Sequence, residues 1–288
     1  MSNLETSSTS PHRMECMELW GGNSAVDKTI SMTGLEAQIY SRPYDPGESG
    51  GDVYYFTACA SGRISRFLLA DVTGHGQRVA GTADKLRGIM RENVNVIRQS
   101  NLMDGINKEF SAITEGGGFA TAVVATYFSP RQTLTVSLAG HPRPLLYRAE
   151  TERWSVFGED GDSGENLEAA LPLGIKEDVV FQNLQVRFSP GDMLLCYTDA
   201  FSESVDESDQ LINTQGLLEI LNQEQTAANS LDLLTSRLSD LSATNLTNDD
   251  ATAILVRPTG QRITMKANLL APFRMVSGVK EVNSSEDE

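Results

Sequence analysis

The sequence predicts an α+β fold in which antiparallel β-sheets are covered by helices. Short β-rich apolar runs recur along the chain, each bounded by Gly, Pro, Ser or Asp, and most of them neighbour one another in sequence. Helical periodicity is confined to two regions instead of alternating with every strand, which argues against a strict βαβ repeat. No internal repeat, low-complexity linker or compositional break divides the 288 residues, so a single domain is expected.

The elements follow in order. Residues 1 to about 13 are rich in Ser and Thr and cannot bury enough apolar surface to offset their ordering entropy, so a frayed start is expected. VYYFTAC and FLLADV read as the first strands. Val79, Ala83, Leu86, Met90, Val94 and Ile97 then recur at three or four residues, as do Leu102, Ile106, Phe110 and Ile113, giving two consecutive amphipathic helices. TAVVATYF and TLTVSLAG form a hairpin through Ser129-Pro130-Arg131-Gln132, and SLAG is expected to pair with PLLYRA around His141-Pro142. GEDGDSGENLEAA, residues 158 to 170, has no periodicity and reads as a surface loop. VVFQNLQVRF and DMLLCYTD are strands, a helical region follows Gly216 with Leu231, Leu234, Leu238 and Leu241 on one face, and ATAILVRP is the last strand.

Composition narrows the function. With 23 Lys and Arg against 39 Asp and Glu, the net charge of −16 repels nucleic acid and anionic membranes, and no cationic stripe offsets it. Cys16, Cys59 and Cys196 are odd in number and widely spaced, which suggests neither a disulfide framework nor a zinc knuckle. The first residues lack an apolar signal region and no stretch reaches membrane-spanning length, so a cytoplasmic protein is expected.

Acids at four strand ends share a context. Asp52 follows Ser49-Gly50-Gly51 at the start of VYYF, Asp71 ends FLLAD, Asp199 ends MLLCYTD, and Asp249 with Asp250 precedes ATAILV. An Asp at a strand end is most often a turn former or helix cap. Four of them together suit a different role, because a strand end holds a carboxylate rigidly while leaving it open to solvent, as a metal ligand requires. An all-carboxylate set favours Mg²⁺ or Mn²⁺ over zinc, and two such ions suit phosphate-ester hydrolysis.

SGGDVYYF, LLADVTGHG, FATAVVATYF, LAGHPRPLLY, LPLGI, PGDMLLCYTDAFSES and NDDATAILV, in that order, resemble the motif series of PPM-type (protein phosphatase 2C-like) metal-dependent Ser/Thr phosphatases, in the bacterial branch of stage II sporulation protein E and the sigma-factor-regulating phosphatases. The resemblance runs from about residue 35 to 257 and sets a phosphatase domain over 35–258, between an N-terminal extension 1–34 and a C-terminal extension 259–288 whose acidic tail is expected to be disordered at its end. It implies an αββα sandwich, two antiparallel β-sheets flanked by helices, with two Mn²⁺ or Mg²⁺ ions at one end. It further implies that Asp71 bridges both metals, that the Val72 carbonyl ligates one, that Asp52 is a direct or water-mediated ligand, and that Asp199 and Asp249 hold the other metal, with Asp250 as the alternative to Asp249. The helices from Val79 to Ile113 match a pair that in this branch abuts the metal site and can gate it.

YTDA carries Ala200 where Gly is commonest in the family, a one-methyl change that should be tolerated. His75 is a candidate general acid, but Val72 and Thr73 separate it from Asp71 where the eukaryotic phosphatases have Asp-Gly-His, and a loop role is the competing reading. His141 fits a turn organiser better than a metal ligand. Arg42 is the candidate phosphate contact, with Arg63 and Arg66 as alternatives and a solvated surface arginine as the ordinary reading of each. The implied substrate is a phosphorylated regulatory protein, by analogy an anti-sigma-factor antagonist. The competing functions are a catalytically silent scaffold that binds a signalling partner and a phosphodiesterase or nuclease, and the chain is open to homodimerisation. Trp20-Gly21-Gly22-Asn23 reads either as a docking element or as a turn packed on the core.

Overall fold

The computed structural model describes residues 12–45, 49–59, 61–73, 77–114, 118–159, 171–223, 229–261, 273, 276 and 278–284. The chain opens with β1 (His12–Arg13), β2 (Glu18–Gly22), β3 (Val26–Met32), β4 (Leu35–Arg42), β5 (Asp52–Ala58) and β6 (Ile64–Val72). Helices α1 (Gln77–Glu92) and α2 (Gln99–Ile113) follow, then β7 (Ala120–Phe128), β8 (Thr133–Ala139), β9 (Leu145–Arg148), β10 (Arg153–Val156), β11 (Leu184–Arg187) and β12 (Met193–Tyr197). The last elements are α3 (Asp199–Ser202), α4 (Asn213–Asn222), α5 (Ser230–Leu241), β13 (Ala251–Pro258) and β14 (Lys280–Asn283).

The strands form two seven-stranded sheets, ordered β1-β3-β4-β13-β12-β9-β10 and β11-β8-β7-β6-β5-β2-β14. Pairing is antiparallel except where β1 joins β3 and β14 joins β2, both in parallel at a sheet edge. Alternate residues of each strand face the partner sheet, as the two-residue period of a strand requires. Tyr54, Phe56, Phe67, Leu69, Val123 and Ala125 from one sheet meet Ile39, Leu194, Cys196, Ile254 and Val256 from the other in the central core. The opposite parity, including Leu68, Ala70 and Val124, packs under α1 and α2. Leu195, Tyr197, Ala253 and Leu255 pack under α4 and α5. The layers are therefore helix, sheet, sheet, helix.

Three expectations change. First, β8 and β9 do not form a hairpin: β8 pairs with β7 and β11, whereas β9 pairs with β12 and β10 in the other sheet. Pro142 and Pro144 supply no backbone donor for a ladder, and Gly140 turns the chain with φ 68° against Pro172. Second, α1 stops at Glu92, before the periodic positions Val94 and Ile97, and Ile97 is 74% exposed. Asn93 donates to the Ile89 carbonyl at 2.9 Å and closes the helix. The buried Arg66 then donates to the carbonyls of Val94 (2.9 Å), Val96 and Ile97 (3.4 Å), pinning the α1–α2 connection to β6. Third, Trp20 lies on β2, between β5 and β14, and is fully buried against Tyr54 and Phe56.

The sheets also extend on either side of 35–258, through β1 to β3 and through β14. β14 is tied to α1 as well as to β2, because Glu281 accepts from Arg87 at 3.2 Å and Arg91 at 3.1 Å. The segment 160–170 and the first eleven residues lie outside the described residues, as does 285–288.

Candidate active site

At one end of the sandwich the inner faces change from apolar to polar. On β6, Phe67 and Leu69 are followed at the same parity by Asp71; on β5, Phe56 and Tyr54 lead back to Asp52. The register places Asp52 directly across from Asp71, and Asp71 across from Thr121 on β7. The facing sheet supplies Ser41, opposite Thr252 in register, and Thr198 just beyond β12. A polar floor thus closes the hydrophobic core, and the acids sit in it because strand parity carries them there.

Hydrogen bonds join the two sheets through this floor. The Thr198 hydroxyl donates to Asp52 Oδ2 at 2.8 Å and accepts from the Thr252 N–H at 3.0 Å. Ser41 Oγ lies 2.9 Å from Thr252 Oγ1. Asp199 opens the short helix α3, and Asp249 precedes β13, its Oδ1 accepting from the Asp250 N–H at 2.8 Å. Asp250 is engaged differently: its two oxygens accept from the backbone N–H of Tyr44 at 2.7 Å and of Gly51 at 2.5 Å. It clasps the Gly50-Gly51 turn. A Cβ on Gly50 would come within 2.7 Å of that carboxylate, and one on Gly51 within 3.1 Å of the Val72 carbonyl, so both positions need glycine for close approach. Asn23 holds the same turn, accepting from the Gly50 N–H through its backbone oxygen at 2.9 Å and donating from Nδ2 to the Gly50 carbonyl at 3.1 Å.

The acids press on one another. Burial holds Asp52 well above the usual carboxylate range, and the neighbouring Asp71 adds to this while Thr198 and Thr252 oppose it. Asp71 is pushed up to about 6 by burial and then by Asp199, Asp249 and Asp250. Burial and Asp249 raise Asp199. A carboxylate whose folded pKa exceeds its unfolded value costs stability as pH rises through that interval. The metal-free protein is therefore expected to melt at a lower temperature at pH 7 than at pH 5. Thermal melts with and without chelator at both pH values measure it.

The other candidates separate clearly. Arg42 ends β4, exposed and opposite Ala251, at the acid end of its sheet. Arg63 lies in the turn before β6, eight residues from Asp71 along the strand and so about 25 Å away. Arg66 is buried, and its guanidinium is committed to Thr126 Oγ1 and the α1–α2 carbonyls, leaving it no role as a phosphate contact. His75 lies outside the described residues. His141 is 2% exposed, with Nδ1 3.1 Å from Thr121 Oγ1. Thr198, Thr121, Ser41 and Asn23 are site residues the sequence reading missed. Strand parity, counted outward from Leu69 and Tyr54 and across the register, is the signal that points to this layer.

Among the described residues, no three His, Cys, Asp or Glu side chains are arranged as a ready metal cage. The donor set itself fits hard divalent cations: carboxylates crowded at mutual electrostatic cost, next to a backbone carbonyl, with no thiolate among them.

The family model described as Stage II sporulation protein E (SpoIIE) matches residues 61–259, more than half of the chain. The chain belongs to the SpoIIE family. Its SpoIIE fold is shared by solved structures at low identity. The RsbU and RsbW domains of Rv1364c from Mycobacterium tuberculosis superpose with a TM-score of 0.60 at 22% identity, over 86% of this chain and 64% of that one. The PP2C phosphatase domain with a fragment of the regulatory domain of SpoIIE from Bacillus subtilis gives 0.63 at 15% identity, over 78% and 64%. RsbX in complex with magnesium gives 0.58 at 14%, over 81% and 99%. The chain thus spans just under two thirds of the first two structures. No curated protein sequence matches it. The SpoIIE match and the shared sandwich place it in the PPM (PP2C-type) phosphatase superfamily. Among the described residues no helix is long and apolar enough to cross a membrane.

Proposed function

We propose that this chain is a metal-dependent protein serine/threonine phosphatase. One observation carries the reading: Asp52 and Asp71 face each other across β5 and β6 on the inner face, with Asp199, Asp249 and Asp250 close enough to raise the pKa of Asp71. A fold has little use for such a cluster unless cations offset it. Asp52, Asp71, the Val72 carbonyl, Asp199 and Asp249 would hold two Mn²⁺ or Mg²⁺ ions. Asp249 is preferred to Asp250 as ligand, because both Asp250 oxygens already hold the backbone of Tyr44 and Gly51.

Bound there, the ions would lower the pKa of a water and offset phosphate charge. The chain's own residues do the rest. Thr198 orients the Asp52 carboxylate, Asp250 and Asn23 fix the glycine turn, and the absence of side chains at Gly50 and Gly51 leaves room beside Asp71 and Val72. Arg42 stands at the same end as the cationic contact for the phosphoryl group. The nucleophile would be a water, with no covalent enzyme intermediate. The proposed substrate is phosphoserine or phosphothreonine on a regulatory protein, by family resemblance an anti-sigma-factor antagonist.

Manganese-loaded protein is expected to release phosphate from phosphoserine peptides and p-nitrophenyl phosphate but not to cleave bis(p-nitrophenyl) phosphate, and calorimetry should count two Mn²⁺ sites. Uptake of no Mn²⁺ together with no phosphate release would leave a scaffold that binds a signalling partner. Cleavage confined to the diester would point to a phosphodiesterase.

A further inference from the structure

His141 stands where the chain leaves β8 and crosses to β9 in the other sheet. Its ring is buried, and Nδ1 meets the Thr121 hydroxyl at 3.1 Å. Thr121 is the register partner of Asp71, so the imidazole continues the row Asp52, Asp71, Thr121 across the inner face. On its other side the Tyr197 backbone is near enough to favour the ring proton, and Tyr197 lies two residues before Asp199. Burial nevertheless keeps the ring neutral, its pKa pushed down to about 3. Nε2 is buried and has no hydrogen-bond partner among the described residues.

Organising the Gly140-Pro142 turn would not require this position. A turn histidine bonds locally, whereas this one bonds a hydroxyl 20 residues away and abuts a strand of the opposite sheet. A neutral imidazole has one donor and one acceptor nitrogen; here Nδ1 meets Thr121 and Nε2 is left unpaired among the described residues. Buried polar atoms left unpaired are few in folded proteins and call for a functional account.

We infer that His141 is a positioning residue that fixes Thr121, the register neighbour of Asp71 on β7, and so holds the β6–β7 side of the acid layer in the relation that divalent cations need. It acts through Thr121 and touches neither substrate nor cation. The inference rests on the metal-dependent reading of the site.

The test is calorimetric titration of the full chain with Mn²⁺, alongside thermal melts. His141→Ala weakens at least one Mn²⁺ site by on the order of ten- to a hundredfold, the range for groups that orient metal ligands. Thr121→Val, which removes the hydroxyl with little change of shape, weakens the same site. In the double variant the losses do not add, because each substitution breaks the same link. A merely structural role would lower the melting temperature and leave the Mn²⁺ affinity of the folded protein where it was. Variants that bind Mn²⁺ within twofold of wild type, or losses that add, overturn the inference, and Thr121→Val decides it even where His141→Ala does not fold.

Phosphate release by the wild type separates the two claims. Weakened Mn²⁺ binding in the variants with an inactive wild type leaves the positioning role standing and removes the phosphatase. An active wild type with variants that bind normally does the reverse. A wild type that takes up no Mn²⁺ removes both.

Discussion

Asp71→Asn is expected to cut phosphate release by at least about a hundredfold while making the metal-free protein more stable. The loss of activity is taken on the scale of removing one preorganised hydrogen-bond donor from a reacting centre, on the order of 10²- to 10³-fold. The gain in stability follows from the same charge. Asp71 is mostly buried and crowded by Asp199, Asp249 and Asp250, and its pKa is pushed up to about 6. Against an unfolded value near 4, that penalty is up to about 3 kcal/mol at neutral pH. Asparagine keeps the shape and removes the charge. A turn former or helix cap would behave oppositely, because losing a cap destabilises by about 1 kcal/mol. Urea denaturation under chelator and phosphopeptide kinetics with Mn²⁺ read the two effects separately. A variant that is both active and no more stable than wild type would show that the acid serves the backbone alone.

Trp20→Ala is expected to destabilise the protein by about 3–5 kcal/mol, the scale of removing a large aromatic from a packed core. Trp20 is fully buried between Tyr54 and Phe56, on a strand hydrogen-bonded to β5 on one side and β14 on the other. The adjoining Asn23 holds Gly50 in the turn that Asp250 clasps. Deleting residues 1–30 would therefore remove part of the sandwich together with a support of the site, and a fall in activity after that deletion says nothing about regulation. Urea denaturation measures the single substitution. A docking role would instead show as a partner-binding defect with the denaturation midpoint unchanged.

The strands that carry the acids were legible because they combine apolar runs with abrupt polar ends. FLLADV and MLLCYTD announce themselves, and the helices over α1, α2 and α5 show a clear apolar period. β2 was hidden by composition. ELWGG has two glycines, yet Gly21 is there because its backbone, at φ 143°, runs so close to Tyr54 that a Cβ would lie 2.0 Å from that carbonyl. β3 and β4 mix charged and apolar residues, since one side of that sheet edge faces solvent. The VVFQNLQVRF run overstated its strand: only Leu184–Arg187 pairs, and the Asn107 side chain holds the preceding turn by the carbonyls of Lys176 and Glu177. Long-range side-chain bonds of this kind leave no local pattern. The same limit hid Thr198, whose hydroxyl matters only because two sheets bring it to Asp52.

The pairing of β4 with β13 has a consequence in time. Ser41 and Thr252, which meet at 2.9 Å in the floor of the site, are 211 residues apart in sequence. Contacts between such distant segments form late, because the entropy of closing a long loop must be met before they contribute. A nascent chain on the ribosome can complete the β5–β6 hairpin and the β6–β7 pairing and still lack Thr252, Asp249 and the β13 partner of β4. The proposed site is therefore completed only after Thr252 has been made, and a product truncated before Asp249 lacks part of it.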